Sequence, residues 1–476
     1  MPPSELLVHF CTRLLFFQQS KNRVESPCTR LLARPQYTKT ILKSSASSAL
    51  IPEIKGHTMR LLIPRYCLNG ILVLCLITNF AVAADDWRVW RGPNANNIAT
   101  EGETPPTKWG ESENIRWKAA LPGRGHSSPI VVNDRVLIST ADEAKQIQSV
   151  VCFDRASGRQ LWKTDVSQGD FAPKIHQKNT HASPTLASNG KMVFAVFPQF
   201  DRIQLTALGL DGKQKWQIKA GGYLPQAYQF GYAPSPLLYE GNVIVTSEYE
   251  KNGFIAAFDQ QTGREVWRIK RPEKMNFSTP IVTRIAGRDQ MLLSGNAKVA
   301  SFDPQTGRDL WSAPAMWLVS CGTMVWDNDL VFTSGGFPLK GTMAVKADGS
   351  GKVVWTNRVK CYEQSMLAHA GYLYAVDDNG IAYCWNAQTG KEQWKSRLGG
   401  KVSSSPVLAN GNLYLTNERG TTFVFRANPD KFELVAENQL GDEGFATPAF
   451  CGDQIFHRAA TSASGKRQEF LYCIGE

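Results

Sequence analysis

The stretch AAFDQQTGREVW at Ala256–Trp267 decides the fold, because the chain writes it again and again. Close copies read ASFDPQTGRDLW at Ala300–Trp311 and YCWNAQTGKEQW at Tyr383–Trp394. Weaker ones read VCFDRASGRQLW at Val151–Trp162, ALGLDGKQKW at Ala207–Trp216 and AVKADGSGKVVW at Ala344–Trp355. Self-similarity with a period of about 40–50 residues is the mark of a repeat architecture. Within one copy, apolar and polar residues alternate as in a strand and run into an Asp. That Asp can bond the amides just downstream, and the following Gly supplies the positive φ of a tight hairpin. The second strand ends on a Trp, a large apolar plate suited to fill the space between neighbouring units.

A second signature precedes each copy: a small or polar pair, Pro, a short apolar strand, a turn and another strand. Examples are SSPIVVNDRVLIS from Ser127, PSPLLYEGNVIVTS from Pro234 and SSPVLANGNLYLT from Ser404. It starts near residues 127, 182, 234, 278, 321, 365, 404 and 446, the copies near 321 and 365 being degenerate. The two signatures together give four short strands per unit, which is one propeller blade. The seventh unit has VFRANPDKFELV where the Gly–Trp phrase is due, and the eighth runs out of chain. Its missing outer strand is found at the other end, in NIRWKAAL at Asn114–Leu121 with Trp117 in place. The expected fold is therefore all-β: an eight-bladed β-propeller over 112–476, closed by an N-terminal strand that joins the last blade and removes the open edges.

The phrase A-x-D-x-x-T-G-x-x-x-W resembles the tryptophan-docking motif of quinoprotein-type propellers, and the chain is similar to the PQQ-like repeat proteins, including their BamB-like assembly-factor group. WRVWRGPN at Trp87–Asn94 resembles the approach segment of secreted members. The resemblance covers roughly residues 87–476 and implies an eight-bladed ring. Its enzymes hold PQQ in the funnel against a vicinal Cys–Cys disulfide and a Trp. A calcium ion is ligated there by Glu, Asn and Asp, and a further Asp acts as base. This chain has no Cys-Cys dipeptide, no C-x-x-C-H haem site and none of the long insertions. No catalytic residue can be carried over, so no cofactor is expected, with PQQ and calcium the alternative.

Residues 1–58 are rich in Arg, Ser and Lys without hydrophobic period, and we read them as a non-native extension. Met59 opens a secretory signal over 59–83, with Arg60 and Arg65, an apolar run and an A-x-A exit at Ala81–Ala83. The rival reading begins at Met1 and makes Leu68–Ala83 a membrane anchor. With the signal removed, residues 84–111 form the approach segment and no transmembrane span remains. The net charge of +11 then falls by 7, to +4, which argues against a nucleic-acid partner. Six cysteines follow residue 83, at 152, 321, 361, 384, 451 and 473. Their spacing suggests neither zinc nor a disulfide framework, and small buried strand residues are expected. Cys451 and Cys473 fall in one blade, where pairing stays open.

Aligning the inner-strand signatures on Pro puts one residue per blade at the mouth of the funnel: His126, His181, Ala233, Phe277, Ser320, Glu363, Ser403 and Phe445. Apart from Ala233 these are candidate ligand contacts, although polar residues there also serve simply to hold channel water. Two long loops, Ser167–Thr180 and Gly221–Tyr232, are expected side by side at the same mouth. They add Lys174, His176, Lys178, Tyr223, Tyr228, Phe230 and Tyr232 as binding candidates, against a reading as a packed lid. The expectation is an exported, monomeric binding or assembly scaffold, periplasmic or secreted, of the cell envelope. Its partner would be a protein or glycan of the envelope. The alternative is a PQQ- or metal-dependent oxidoreductase.

Overall fold

A computed structural model describes residues 86–463 and 465–476. The expected extension (1–58) and secretion signal (59–83) lie outside the described residues. From residue 86 onward there are 32 strands in eight four-stranded sheets and no helix among the described residues. Each sheet is an antiparallel meander. Blade 3 is typical, with strands Leu237–Tyr239, Asn242–Ser247, Phe254–Asp259 and Glu265–Lys270 in that spatial order. The two middle strands are buried on both faces, whereas the outermost alternates toward solvent. Blades 1 to 7 span 130–168, 187–222, 237–270, 281–314, 325–357, 367–397 and 407–439. Blade 8 joins Ala449–Cys451, Gln454–Thr461 and Gln468–Ile474 to Ile115–Leu121, with Trp117 opposite Cys473. The ring therefore closes as the strand count requires.

The repeated phrase builds this architecture as its chemistry dictates. Asp259 Oδ1 accepts from the backbone N–H of Gln261 (3.1 Å) and Thr262 (2.8 Å) and from the Thr262 hydroxyl (2.7 Å). Gly263 completes the hairpin at φ +71°. Trp216, near the start of the outer strand of blade 2, reaches across to this turn and donates from Nε1 to Gln260 O at 3.0 Å. Its ring lies flat on Gly263, where an added Cβ would stand 2.8 Å from Trp216 Cε3. The same contact places Trp117 on Gly158, Trp162 on Gly212 and Trp355 on Gly390. The phrase thus docks one blade onto the next. Trp311 departs from the pattern, donating within its own blade to Gln290 Oε1 at 2.6 Å. Blade 7 has no Trp, and there Trp109 of the N-terminal segment stacks on Tyr414, centroids 6.2 Å apart.

That segment crosses the end of the channel opposite the long loops and ties distant blades together. Trp87 O accepts from Val131, Arg88 O from Ser188, and Trp90 Nε1 donates to Thr323 Oγ1 at 3.0 Å. Asn97 Nδ2 reaches Pro406 O, and Ala99 N reaches Leu408 O. Arg91 is buried without a carboxylate partner, its guanidinium donating to the carbonyls of Ala95, Asn96 and Met366. Burial pulls it down to about 9, so it stays cationic at neutral pH. No disulfide joins the six described cysteines, Cys451 and Cys473 included.

Candidate functional site

The innermost strands converge on a funnel that encloses about 330 Å³. One hydroxyl per blade rings it: Ser128, Thr185, Ser235, Thr279, Thr323, Ser365, Ser405 and Thr447. Each hydroxyl takes the backbone N–H of the equivalent residue in the preceding blade. Ser128 N donates to Thr185 Oγ1 (3.0 Å), Thr185 N to Ser235 Oγ (3.0 Å) and Ser235 N to Thr279 Oγ1 (3.0 Å). Thr323, Ser365 and Ser405 continue the chain at 2.9 Å each. These bonds satisfy amides that the narrow channel would otherwise strand. Two links differ. Thr323 takes the indole N–H of Trp90, which forms the floor, and Ser128 Oγ is buried with no partner.

This ring corrects the register expected from Pro. Two residues before each hydroxyl, the lining is His126, Ser183, Ala233, Phe277, Cys321, Glu363, Ser403 and Phe445. His181 is not among them. In blade 2 the Pro precedes the ring hydroxyl (Pro184-Thr185) instead of following it, so Ser183 occupies the position. The His181 ring stacks on Phe171 outside the funnel, centroids 4.2 Å apart. Ser320 is also displaced: it is fully buried, takes the Trp317 indole N–H at 2.9 Å, and leaves the lining to Cys321. Cys321 is therefore no ordinary strand cysteine, and burial, with Glu363 and Asp378 nearby, pushes its thiol up.

The two long loops do meet at the mouth, where Asn179 Nδ2 donates to Phe230 O at 2.8 Å. From them His176, Lys178, Asn179 and Phe230 line the funnel. Tyr223 and Tyr232 do not reach it. Both are buried between blades 2 and 3, donating to Gly231 O (2.7 Å) and Thr246 O (2.6 Å). Tyr228 is exposed on the rim, and Lys174 lies in an outer recess beside His181. Trp90 and Tyr362 were missed. A Trp far upstream in sequence gives no local sign that it closes a channel floor.

Charge is unevenly placed around the wall. Lys178 Nζ pairs with Glu418 Oε1 at 2.6 Å, and Lys360 with Asp378 at 2.7 Å. Burial alone would lower Lys178, but the Glu418 hydrogen bond and the charges of Glu363, Glu418 and Asp378 outweigh it and raise its pKa. The Ser403 hydroxyl lies between Glu363 Oε2 (2.5 Å) and Glu418 Oε1 (2.8 Å) and has one proton for both. Among the described residues no Lys or Arg pairs with Glu363. On blade 1, His126 stacks on Phe445 with centroids 4.3 Å apart. Burial, with Arg124, Arg458 and Arg467 nearby, holds it well below the usual histidine range, so the ring is neutral. Its Nε2 is buried without a partner. Behind this wall Arg458 and Glu469 form a buried pair, 2.5 Å apart.

The family model described as outer membrane protein assembly factor BamB matches residues 146–317 and 339–428. The chain belongs to this family. The BamB of Moranella endobia (strain PCIT) is 24% identical over 363 residues, covering 70% of this chain and 82% of that protein. Among solved structures, a europium-containing methanol dehydrogenase superposes with a TM-score of 0.61 at 12% identity, over 82% of this chain and 98% of that one. BamB from Moraxella catarrhalis superposes with a TM-score of 0.52 at 12% identity, over 75% and 99%. Both structural likenesses speak for the fold alone, since one propeller fold carries unrelated activities. No described helix is long and apolar enough to cross a membrane.

Proposed function

We propose that the chain is a binding scaffold of the cell envelope whose loop face docks a protein partner. One observation carries this reading: an apolar patch stands exposed on the funnel rim. Tyr228 (46%), Phe337 (49%) and Leu339 (59%) are its most open members, and Phe230 (41%) joins it to the funnel. Tyr228 lies 5.7 Å from Phe230 and 6.4 Å from Phe337, ring centroid to centroid. Aromatic side chains grouped this openly on a rigid frame are typical of protein-docking anchors. Relatives named as outer membrane assembly factors support a partner in the envelope.

A quinone cofactor fits this lining poorly. PQQ is a tricarboxylate, and the funnel meets it with the Glu363 carboxylate, while Glu418 already takes the lining lysine, Lys178. Nor does any group of three or more His, Cys, Asp or Glu converge as calcium would need, among the described residues. We derive no oxidation step from this site.

The test is a photocrosslinking residue placed at Leu339 in the native envelope, with and without Tyr228→Ala and Phe337→Ala. The double variant should keep wild-type thermal stability and lose the protein adduct. An adduct of unchanged yield would overturn the docking reading, as would alcohol oxidation by protein purified from its own host.

A further inference from the structure

We propose that the funnel is a receptor for a guanidinium or primary ammonium group. This goes beyond the docking reading, because the site is defined by the funnel walls and not by the rim. The case rests on what the lining leaves unsatisfied. Glu363 projects an exposed carboxylate into the funnel and makes no ion pair among the described residues; Lys178, close enough to feel its charge, is paired with Glu418 instead. The hydroxyl proton of Ser403 is shared between Glu363 and Glu418. On this wall Glu418 and Asp378 are each matched by a lysine, Lys178 and Lys360, and Glu363 is the carboxylate left over.

The blade 1 side carries polar atoms without partners. Ser128 is 3% exposed and its Oγ is the one member of the hydroxyl ring left buried with no partner. Two residues away, the His126 ring is neutral and bonds the Lys178 backbone. Since Nε2 has no partner, that bond is made by Nδ1–H, and Nε2 keeps a buried, unshared lone pair. The carboxylate and the imidazole lone pair are acceptors only, and the free hydroxyl can accept as well as donate. Buried polar atoms without partners are costly, and a ligand that brings N–H groups to this end of the funnel gives them something to bond.

The remaining surface selects an organic cation over a metal ion. Phe277, Phe445, Tyr362 and the floor indole of Trp90 present aromatic surface to the same space. Guanidinium groups stack on such faces and donate in several directions at once, and alkylammonium groups make the related cation–π contact. Trp90, held by Thr323, lines the end of this space away from the loop mouth. The volume lies in the range of small-molecule pockets. The same head group is available from a free amine or from an arginine or lysine side chain of a polypeptide.

Calorimetric titration of the purified protein tests this with agmatine, acetyl-Gly-Arg-Gly-amide and, as neutral isostere, acetyl-Gly-citrulline-Gly-amide. Saturable one-to-one binding of a cationic probe is expected, with the citrulline peptide at least about tenfold weaker. Tighter binding of the peptide points to a polypeptide source, and tighter binding of agmatine to a free amine. Glu363→Gln, checked for an unchanged melting temperature, should weaken the cationic probe about tenfold. Equal binding of the citrulline peptide, no saturation by any cation, or full affinity in Glu363→Gln would each overturn the proposal. Tyr228→Ala with Phe337→Ala should leave this binding intact, which separates the funnel from the docking surface.

Discussion

Replacing Gly263 by Ala measures how strongly the repeated phrase locks one blade to the next. Two costs add. The residue sits at φ +71°, and left-handed backbone costs an L-residue about 1–2 kcal/mol. The new Cβ would also stand 2.8 Å from Trp216 Cε3 and 3.0 Å from its Cδ2, and overpacking of this kind costs about 1–3 kcal/mol. The sum is about 2–5 kcal/mol. Gly287 supplies the control: its φ is +80°, yet an added Cβ meets nothing within 4 Å. Gly287→Ala should therefore lose only the backbone share, about 1–2 kcal/mol. The assay is the urea midpoint of each variant at constant denaturant slope. A Trp216→Leu background adds a second arm, because without the indole the Gly263→Ala loss should shrink to the Gly287→Ala value. Equal losses at the two glycines, or strict additivity with Trp216→Leu, would refute the docking argument.

His457 predicts how stability responds to acid. It is 1% exposed, neither ring nitrogen has a partner, and burial lowers its pKa from 6.5 to about 4. The unfolded chain thus binds the proton first. Stability is full above pH 6.5 and falls as pH drops through the window to 4, by about 3 kcal/mol in all. His457→Leu should flatten that part of a pH–stability profile relative to wild type, and parallel profiles would sink the assignment. Glu469→Ala should destabilise by about 3–5 kcal/mol, since it strands the buried guanidinium of Arg458; a loss under about 1 kcal/mol in chemical denaturation would contradict this.

Most of the fold was legible because its grammar is local. The Asp turn, the Gly at positive φ and the Trp that follows lie within a dozen residues, and one strand deficit at the C-terminal end was enough to predict the closing strand. The site was less legible, since alignment on Pro assumed that Pro marks depth along the inner strand. The hydroxyl marks it instead, as Pro184-Thr185 in blade 2 and the Pro-free Cys321-Gly322-Thr323 in blade 5 show. A search for Ser or Thr at blade spacing would have recovered Ser183 and Cys321. Tyr223 and Tyr232 misled for another reason. Aromatic residues in a long loop read as binding residues, but whether such a ring faces solvent or the next blade is decided by tertiary contacts that sequence spacing does not carry. The same holds for Trp90, whose partner Thr323 is 233 positions away.

The shared last blade also sets a clock. Ile115–Leu121 pairs only with Gln468–Ile474, and Arg116 meets Glu476 across a separation of 360 residues. At about 5–20 residues per second of synthesis, roughly 20–70 seconds pass before the first strand of the ring can find its neighbour. Closing so long a loop costs about 5 kcal/mol of chain entropy, recovered only when the final seam zips. Until then two bare sheet edges wait in the same molecule, each a template for the wrong chain. Closure of the ring thus waits for Gln468–Ile474, and a chain that lacks that strand carries both bare edges at once.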